Sequence, residues 1–401
     1  MTTVSSLRTT LLGFTVPDSM LENVIAQDRN LPIQTHKFAW SLARALRHGG
    51  ADVQLLSAMP VSNFPTMPKV FYFRENFIAD GFSGQTLGFI NLVGLKHLTR
   101  GLACLLSGWW KITRHDSRVV VVHGVHSPFV WFAILLRRQS RKAVIVVTDA
   151  PGVVLISDSG FVRFLKRVDH HLVKTALGKV DGVVALTQAL VDDFSPNCKS
   201  LVLAGFMDRN LEELDPPLRE CGDVFNIAYA GGLSDEDGLG YLLDAVRSIQ
   251  GIPVRLTLYG KGELEERIKM AAAADSRIEY GGVVSPRQLA PLLQSADLLI
   301  NPRPSNQDFV RHSFPSKLIE YMALGVPVLS TILPGIPRDY LECMYLINNE
   351  SADGIRDAIV DIARAPLVER AKVGLRARTF VVSAASEKAQ GGRIVEFLKS
   401  L

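Results

Sequence analysis

Short apolar runs rich in Val, Ile and Leu recur through the chain, separated by longer stretches whose apolar positions fall three or four residues apart. The first pattern suits buried strands and the second suits helices with one buried face. Strands are expected at Thr9 to Gly13, Val53 to Leu56, Val119 to Val122, Ala143 to Val147, Gly182 to Leu186 and Ser200 to Leu203. A second series is expected at Ile227 to Tyr229, Val254 to Tyr259, Ile278 to Tyr280, Leu298 to Asn301 and Val328 to Thr331. Strands that alternate with helices pair in parallel and are covered on both faces. Leu214 to Gly222, with paired prolines and mixed charges, reads as the link between the two series. The expected architecture is α/β: two doubly wound, Rossmann-like domains, 1–212 and 222–380, facing a central cleft where the strand ends would receive ligands. A length of 401 residues suits two domains that each bury a core.

One run looks at first like a membrane span, since Val119 to Leu136 approaches the roughly 20 apolar residues a spanning helix needs. His123, Gly124, His126, Ser127 and Pro128 interrupt it, so a strand, a loop and a helix are expected instead. Lys and Arg total 44 against 40 Asp and Glu, and a net charge of +4 is too small to argue for a nucleic-acid partner. The four cysteines, at 104, 198, 221 and 343, have neither metal-ligand spacing nor the density of a disulfide framework, so reduced thiols and no bound metal are expected. The first residues lack the basic start and long apolar core of a secretory signal, which makes a cytoplasmic location the expectation. Charge is concentrated locally in two basic amphipathic stretches, 95–114 with Trp109 and Trp110, and 161–179 with Arg163, Lys166, Arg167, Lys174 and Lys179. Ordinary surface helices explain them, and so does peripheral contact with an anionic membrane surface.

The densest chemistry lies in Asp297 to Pro334. A strand, Leu298 to Asn301, leads through a polar loop, Pro302 to Ser313, into a helix, Pro315 to Leu324, that Gly325 and Pro327 stop. Pro315 is expected in the first helical turn, and the amides around Ser313, Phe314, Ser316 and Lys317 then form an anion site. Glu320 lies about one turn further on, placed to accept hydrogen bonds from a ribose. Gly231 and Gly232 close another strand and let a backbone approach a pyrophosphate, although a plain tight turn explains them as well. Lys261, Arg303 and Lys317 stand at loop positions where cations meet phosphate or simply face water. In the first domain Asp149 follows a strand, as general base or turn cap. His123 and His126 read more simply as packed histidines.

Glu320, Tyr321, Met322, Ala323, Gly325, Pro327 and Val328, with the preceding Ser-Phe-Pro-Ser-Lys, resemble the donor motif of retaining family-4 type glycosyltransferases, the glycosyl transferases group 1, in a form common in bacterial polysaccharide assembly. The resemblance implies the GT-B fold, a nucleotide-diphosphate sugar as donor, no cofactor, and a glycan acceptor, lipid-linked in such pathways. It also implies that the helix 381–401 crosses back onto the first domain. The chain departs from the pattern at four places. His312 stands for the motif's first Glu, and Gly232 and Asp237 stand where the glycine loop carries an Arg and a Lys. Asp149 stands where a His meets the donor sugar, so Asp149 and His312 are the candidate catalytic residues. Two other readings remain open: epimerase or phosphorylase chemistry on the same fold, and a nucleotide-sugar-binding protein that has lost catalysis.

Overall fold

The computed structural model describes residues 6–28, 33–150, 160–217 and 222–401. The first sheet is built from β1 (Leu7–Gly13), β2 (Ala51–Ser57), β4 (Asn76–Ala79), β5 (Phe82–Thr86), β7 (Val119–His123), β8 (Lys142–Val147), β9 (Gly182–Ala185) and β10 (Lys199–Val202). Its order is β10-β9-β8-β7-β1-β2-β5-β4, parallel throughout except at the β4–β5 edge. A separate pair joins β3 (Phe71–Tyr72) to β6 (Phe89–Ile90). Val119, Val121, Val144 and Val146 point to one face of this sheet while Val120, Val122, Ile145 and Val147 point to the other. Both faces are buried, which is why these strands read as continuous apolar runs rather than alternating ones.

The second sheet contains β11 (Phe225–Gly232), β12 (Val254–Lys261), β13 (Ile278–Gly282), β14 (Leu298–Asn301), β15 (Val328–Thr331) and β16 (Tyr345–Ile347). It is parallel, in the order β13-β12-β11-β14-β15-β16. The order reverses direction at β11, between β12 and β14, so this sheet's topological switch point lies at the ends of β11 and β14. The fold class is GT-B, two doubly wound α/β units in tandem. Val119 to Leu136 resolves into β7 and the helix Ser127–Leu136, and among the described residues no helix is long and apolar enough to cross a membrane.

The chain divides into one unit of Met1–Phe206 with Glu387–Leu401 and another of Met207–Ser386. The change of unit therefore falls at Phe206/Met207, ahead of the proline-rich stretch, and the closing segment begins at Glu387 rather than at 381. The helix Leu367–Ala385 stays with the second unit because Arg378 donates to the carbonyls of Leu211, Ala323, Glu212 and Leu214. The helix Glu387–Lys399 packs on the first-unit helix Ile33–His48 through two glycines. A Cβ on Gly391 would fall 2.0 Å from the Ala45 carbonyl oxygen, and one on Gly49 would fall 2.2 Å from that of Gly391. Only glycine permits so close a crossing. The Arg44–Glu387 ion pair at 2.7 Å sets its register.

Candidate functional site

At the switch point of the second sheet, β11 ends in Gly231-Gly232 and β14 ends in Asn301, followed by the loop from Pro302. The helix Ser316–Ala323 is joined to β11 through Tyr321. This fully buried tyrosine accepts a hydrogen bond from the Ala230 N–H at 2.7 Å and donates one to the Ala230 carbonyl at 3.0 Å. The second turn of the helix is thereby tied to the strand one residue before the glycine pair. A Cβ on Gly231 would come within 2.9 Å of both Lys317 Nζ and the Tyr229 hydroxyl, so this glycine makes room for the lysine.

Asp237 is the centre of the arrangement. It ends the 3-10 turn Asp235–Asp237, whose N-cap Ser234 donates from Oγ to Asp237 Oδ2 at 3.0 Å. Its Oδ1 receives Arg303 Nη2 at 2.6 Å and Lys317 Nζ at 3.2 Å. Lys317 also meets the Tyr229 hydroxyl at 2.8 Å, and that hydroxyl donates to the Gly232 carbonyl at 2.7 Å. The three charged side chains are no more than 18% exposed. Burial alone would raise the Asp237 carboxyl, but Lys317 and Arg303 outweigh it and hold the group below the usual carboxylate range. For Lys317 burial prevails, and its ammonium is pulled down to about 8 although Asp237 opposes the shift. The lysine has one carboxylate partner and a guanidinium nearby, whereas the carboxylate has two cations. The cluster carries one net positive charge in a poorly solvated position at the strand ends, and such a group can receive an anion.

The sequence expectation is corrected here in three respects. Asp237 stands where a loop lysine was missing, yet it gathers two of the three candidate cations. Lys261 is the third, and it stands exposed on β12, opposite Gly232 in register. Pro315 is the N-cap of the helix rather than part of its first turn, so the first helical amides belong to Ser316 and Lys317. The Phe314 side chain faces the core, where its ring meets Tyr340 edge-on at 5.2 Å and Tyr340 meets Phe380 at 4.8 Å. These three rings anchor the loop, which leaves Phe314 only its backbone for a ligand. Ser313 approaches Gly335 so closely that a Cβ there would lie 2.3 Å from the Ser313 carbonyl oxygen. His312 is half-buried just after the 3-10 turn Asp308–Arg311, and Glu320 is half-buried in the second turn of the helix.

Two supports of this site went unread in the sequence. Asn301, fully buried, donates to Ser330 Oγ on β15 at 3.0 Å, and Glu350 accepts the Ser305 N–H at 2.8 Å. Both fix the loop that carries Arg303 by contacts distant in sequence, and no local pattern announces them.

In the first unit Asp149 is exposed beyond the end of β8 and takes a 2.9 Å hydrogen bond from Thr148 Oγ1. Pro151 and Gly152, which follow it, lie outside the described residues. His123 is the last residue of β7, stacked on Phe38 at 5.3 Å, and burial lowers its pKa to about 4. His126 is half-buried against Phe14, His97 and Phe129, and desolvation lowers its pKa as well. Both are neutral packing residues at pH 7. Among the described residues no three metal-ligating side chains converge.

Residues 224–365 match the family described as glycosyl transferases group 1. The chain is 23% identical over 192 residues to the putative colanic acid biosynthesis glycosyltransferase WcaL of Escherichia coli, across 46% of this chain and 47% of the relative. It is 31% identical over 111 residues to the amylovoran biosynthesis glycosyltransferase AmsK of Erwinia amylovora, across 26% and 27%. These matches span about half the length of the curated relatives or less. Among solved structures, sucrose-phosphate synthase from Thermosynechococcus elongatus superposes with a TM-score of 0.62 at 16% identity, covering 98% of this chain and 99% of the other. HepE from Anabaena, solved in complex with UDP, does so with 0.60 at 14%, covering 98% and 100%.

Proposed function

We propose that the protein transfers a sugar from a nucleotide-diphosphate sugar to a hydroxyl of a glycan, lipid-linked during assembly, in surface polysaccharide synthesis. The observation that carries the reading is the Arg303–Asp237–Lys317 cluster beside Gly231-Gly232, at the switch point of the sheet within the residues that match the group 1 glycosyl transferases. A diphosphate arriving there replaces Asp237 as the partner of one or both cations, and the backbone from Ser313 to Lys317 and at Gly231 and Gly232 supplies further donors. Glu320 is assigned to the ribose. Lys261, on the neighbouring strand end, is assigned to the outer phosphate. His312 and Asp149 are assigned to the sugar, Asp149 as an orienting group.

Cleaving the bond to the diphosphate develops negative charge on the leaving oxygen, and fixed cations and amide dipoles stabilise that charge without a metal or a covalent cofactor. The resemblance to retaining enzymes supports retention of the anomeric configuration. A thermal-shift screen of sugar nucleotides, followed by transfer assays and proton NMR of the product, tests the proposal. Stabilisation by one nucleotide sugar and a product of unchanged anomeric configuration are expected. An inverted product would overturn the retaining assignment, and tight donor binding without transfer or hydrolysis would favour the binding-protein reading. That second reading has one specific support, the carboxylate of Asp237 inside the cation pair.

A further inference from the structure

The helix Leu95–Ala103 continues through the π-helical turn Cys104–Gly108 into the helix Trp109–His115. This rod is built inside out. Lys96 and Arg100, four residues apart and so on one face, are only 6% and 3% exposed. Lys96 donates to the Val61 carbonyl and to Asn63 Oδ1, and Arg100 donates to the Met59 carbonyl at 2.7 Å, its guanidinium 4.2 Å from the Phe89 ring centre. The two cations of its first turns are therefore buried, and the leucines face solvent. Leu98 is 60% exposed, Leu106 78% and Trp110 55%, with Leu95, Leu102 and Leu105 also exposed. Leu105 and Leu106 of the π turn are both exposed.

A second apolar stripe lies on the helix Gly160–Leu177, where Phe164, Val168 and Leu172 recur every four residues and are all exposed. His97 Nδ1 stands 3.7 Å from Asp169 Oδ1, so the two helices that carry the stripes approach each other there. Residues 92–115 contain no Asp or Glu, and Asp169, the single acid of 160–177, is engaged by His97 and by Ser127 Oγ. Arg114, Arg167 and Lys174 are exposed around the patch.

An apolar face of this extent is rare on a protein that works alone in water. A second copy of the chain seated on it would bring the same cations face to face, whereas an anionic surface would neutralise them. We propose that this face docks on an anionic lipid bilayer, with the rod in the plane of the interface, Leu98, Leu105, Leu106 and Trp110 among the acyl chains, and Arg114, Arg167 and Lys174 at the headgroups. The inference rests on the first unit alone and stands apart from the donor site.

The full chain should sediment with vesicles containing phosphatidylglycerol and not with phosphatidylcholine vesicles. Lipids brominated in their chains should quench part of its tryptophan fluorescence, and that part should vanish in Trp110→Phe. Leu98→Gln combined with Leu105→Gln and Leu106→Gln replaces only exposed side chains, so the melting temperature should hold while partition falls at least about tenfold, the effect of withdrawing one buried leucine. Arg167→Gln with Lys174→Gln should weaken binding to anionic vesicles and flatten its salt dependence. Unchanged partition of the triple leucine variant would overturn the proposal. So would a wild-type dimer in sedimentation velocity that the same leucine substitutions convert to monomer.

Discussion

Each unit buries a pair of cations beside aromatic rings, and the two pairs differ in what neutralises them. In the second unit Arg303 and Lys317 share the Asp237 carboxylate, with the Lys317 ammonium 4.5 Å from the Tyr229 ring centre. In the first unit Lys96 and Arg100 meet backbone carbonyls and an amide oxygen, with the Arg100 guanidinium against Phe89 and Phe14. A carboxylate is an anion that another anion can replace, so the Asp237 pair suits a site that binds and releases charge. Carbonyl oxygens of the chain after β2 cannot be exchanged without unfolding it, so the Lys96 and Arg100 pair pins a helix. Burial lowers Lys96 to about 7 and Lys317 to about 8, and the similar shifts conceal different uses.

The largest expected difference is in stability. Arg100→Ala removes a buried guanidinium, leaves the Met59 carbonyl without its donor and opens a void, and should cost roughly 2–4 kcal/mol in chemical denaturation. Arg303→Ala leaves Asp237 paired with Lys317 and Ser234 and should cost less than about 1 kcal/mol. Equal losses would mean that both pairs are structural and would dissolve the contrast.

Affinity should report the reverse. Glu320→Ala should weaken a sugar nucleotide by roughly 1.5–3 kcal/mol in calorimetry, the range of a charge-assisted hydrogen bond, with the fold intact. Arg303→Ala should weaken the same ligand by about tenfold while sparing the bare nucleoside, because only the former presents phosphate. Equal weakening of both ligands would remove Arg303 from the phosphate site.

The pH dependence sharpens the comparison further. The folded pKa of Lys317 is depressed from 10.5 to about 8, so the unfolded chain holds the extra proton between those values and this group's contribution to stability rises with pH across that window. Anion affinity should run the other way, falling by up to about tenfold per pH unit above 8 as the ammonium is lost. Asp237→Asn removes the charge that opposes the burial shift, and the inflection should move below 8. An unmoved inflection would assign the titration to another group.

Much of the fold is legible in local pattern. The runs at Val119, Ala143, Leu298 and Val328 are strands because a parallel sheet covered on both faces favours apolar side chains at consecutive positions, whereas the run at Val254 buries alternate residues. The β4–β5 hairpin and the pairing of β3 with β6 had no such signature, since Asn76 to Ile90 mixes polar, small and aromatic residues on half-exposed edges. The turn chemistry of Gly231, Pro315 and Gly325 was likewise local and pointed to the right loops, with Pro315 displaced by one helical position.

Charge pairing was beyond the reach of the sequence. Asp237 reads as a lost lysine when only its neighbours in the chain are considered, but its partners lie 66 and 80 residues away. The same holds for the rod 95–115, where the sequence determined the amphipathic pattern. That Lys96 and Arg100 turned inward depended on the carbonyls of Met59 and Val61 standing ready to receive them, and tertiary packing alone placed those carbonyls there.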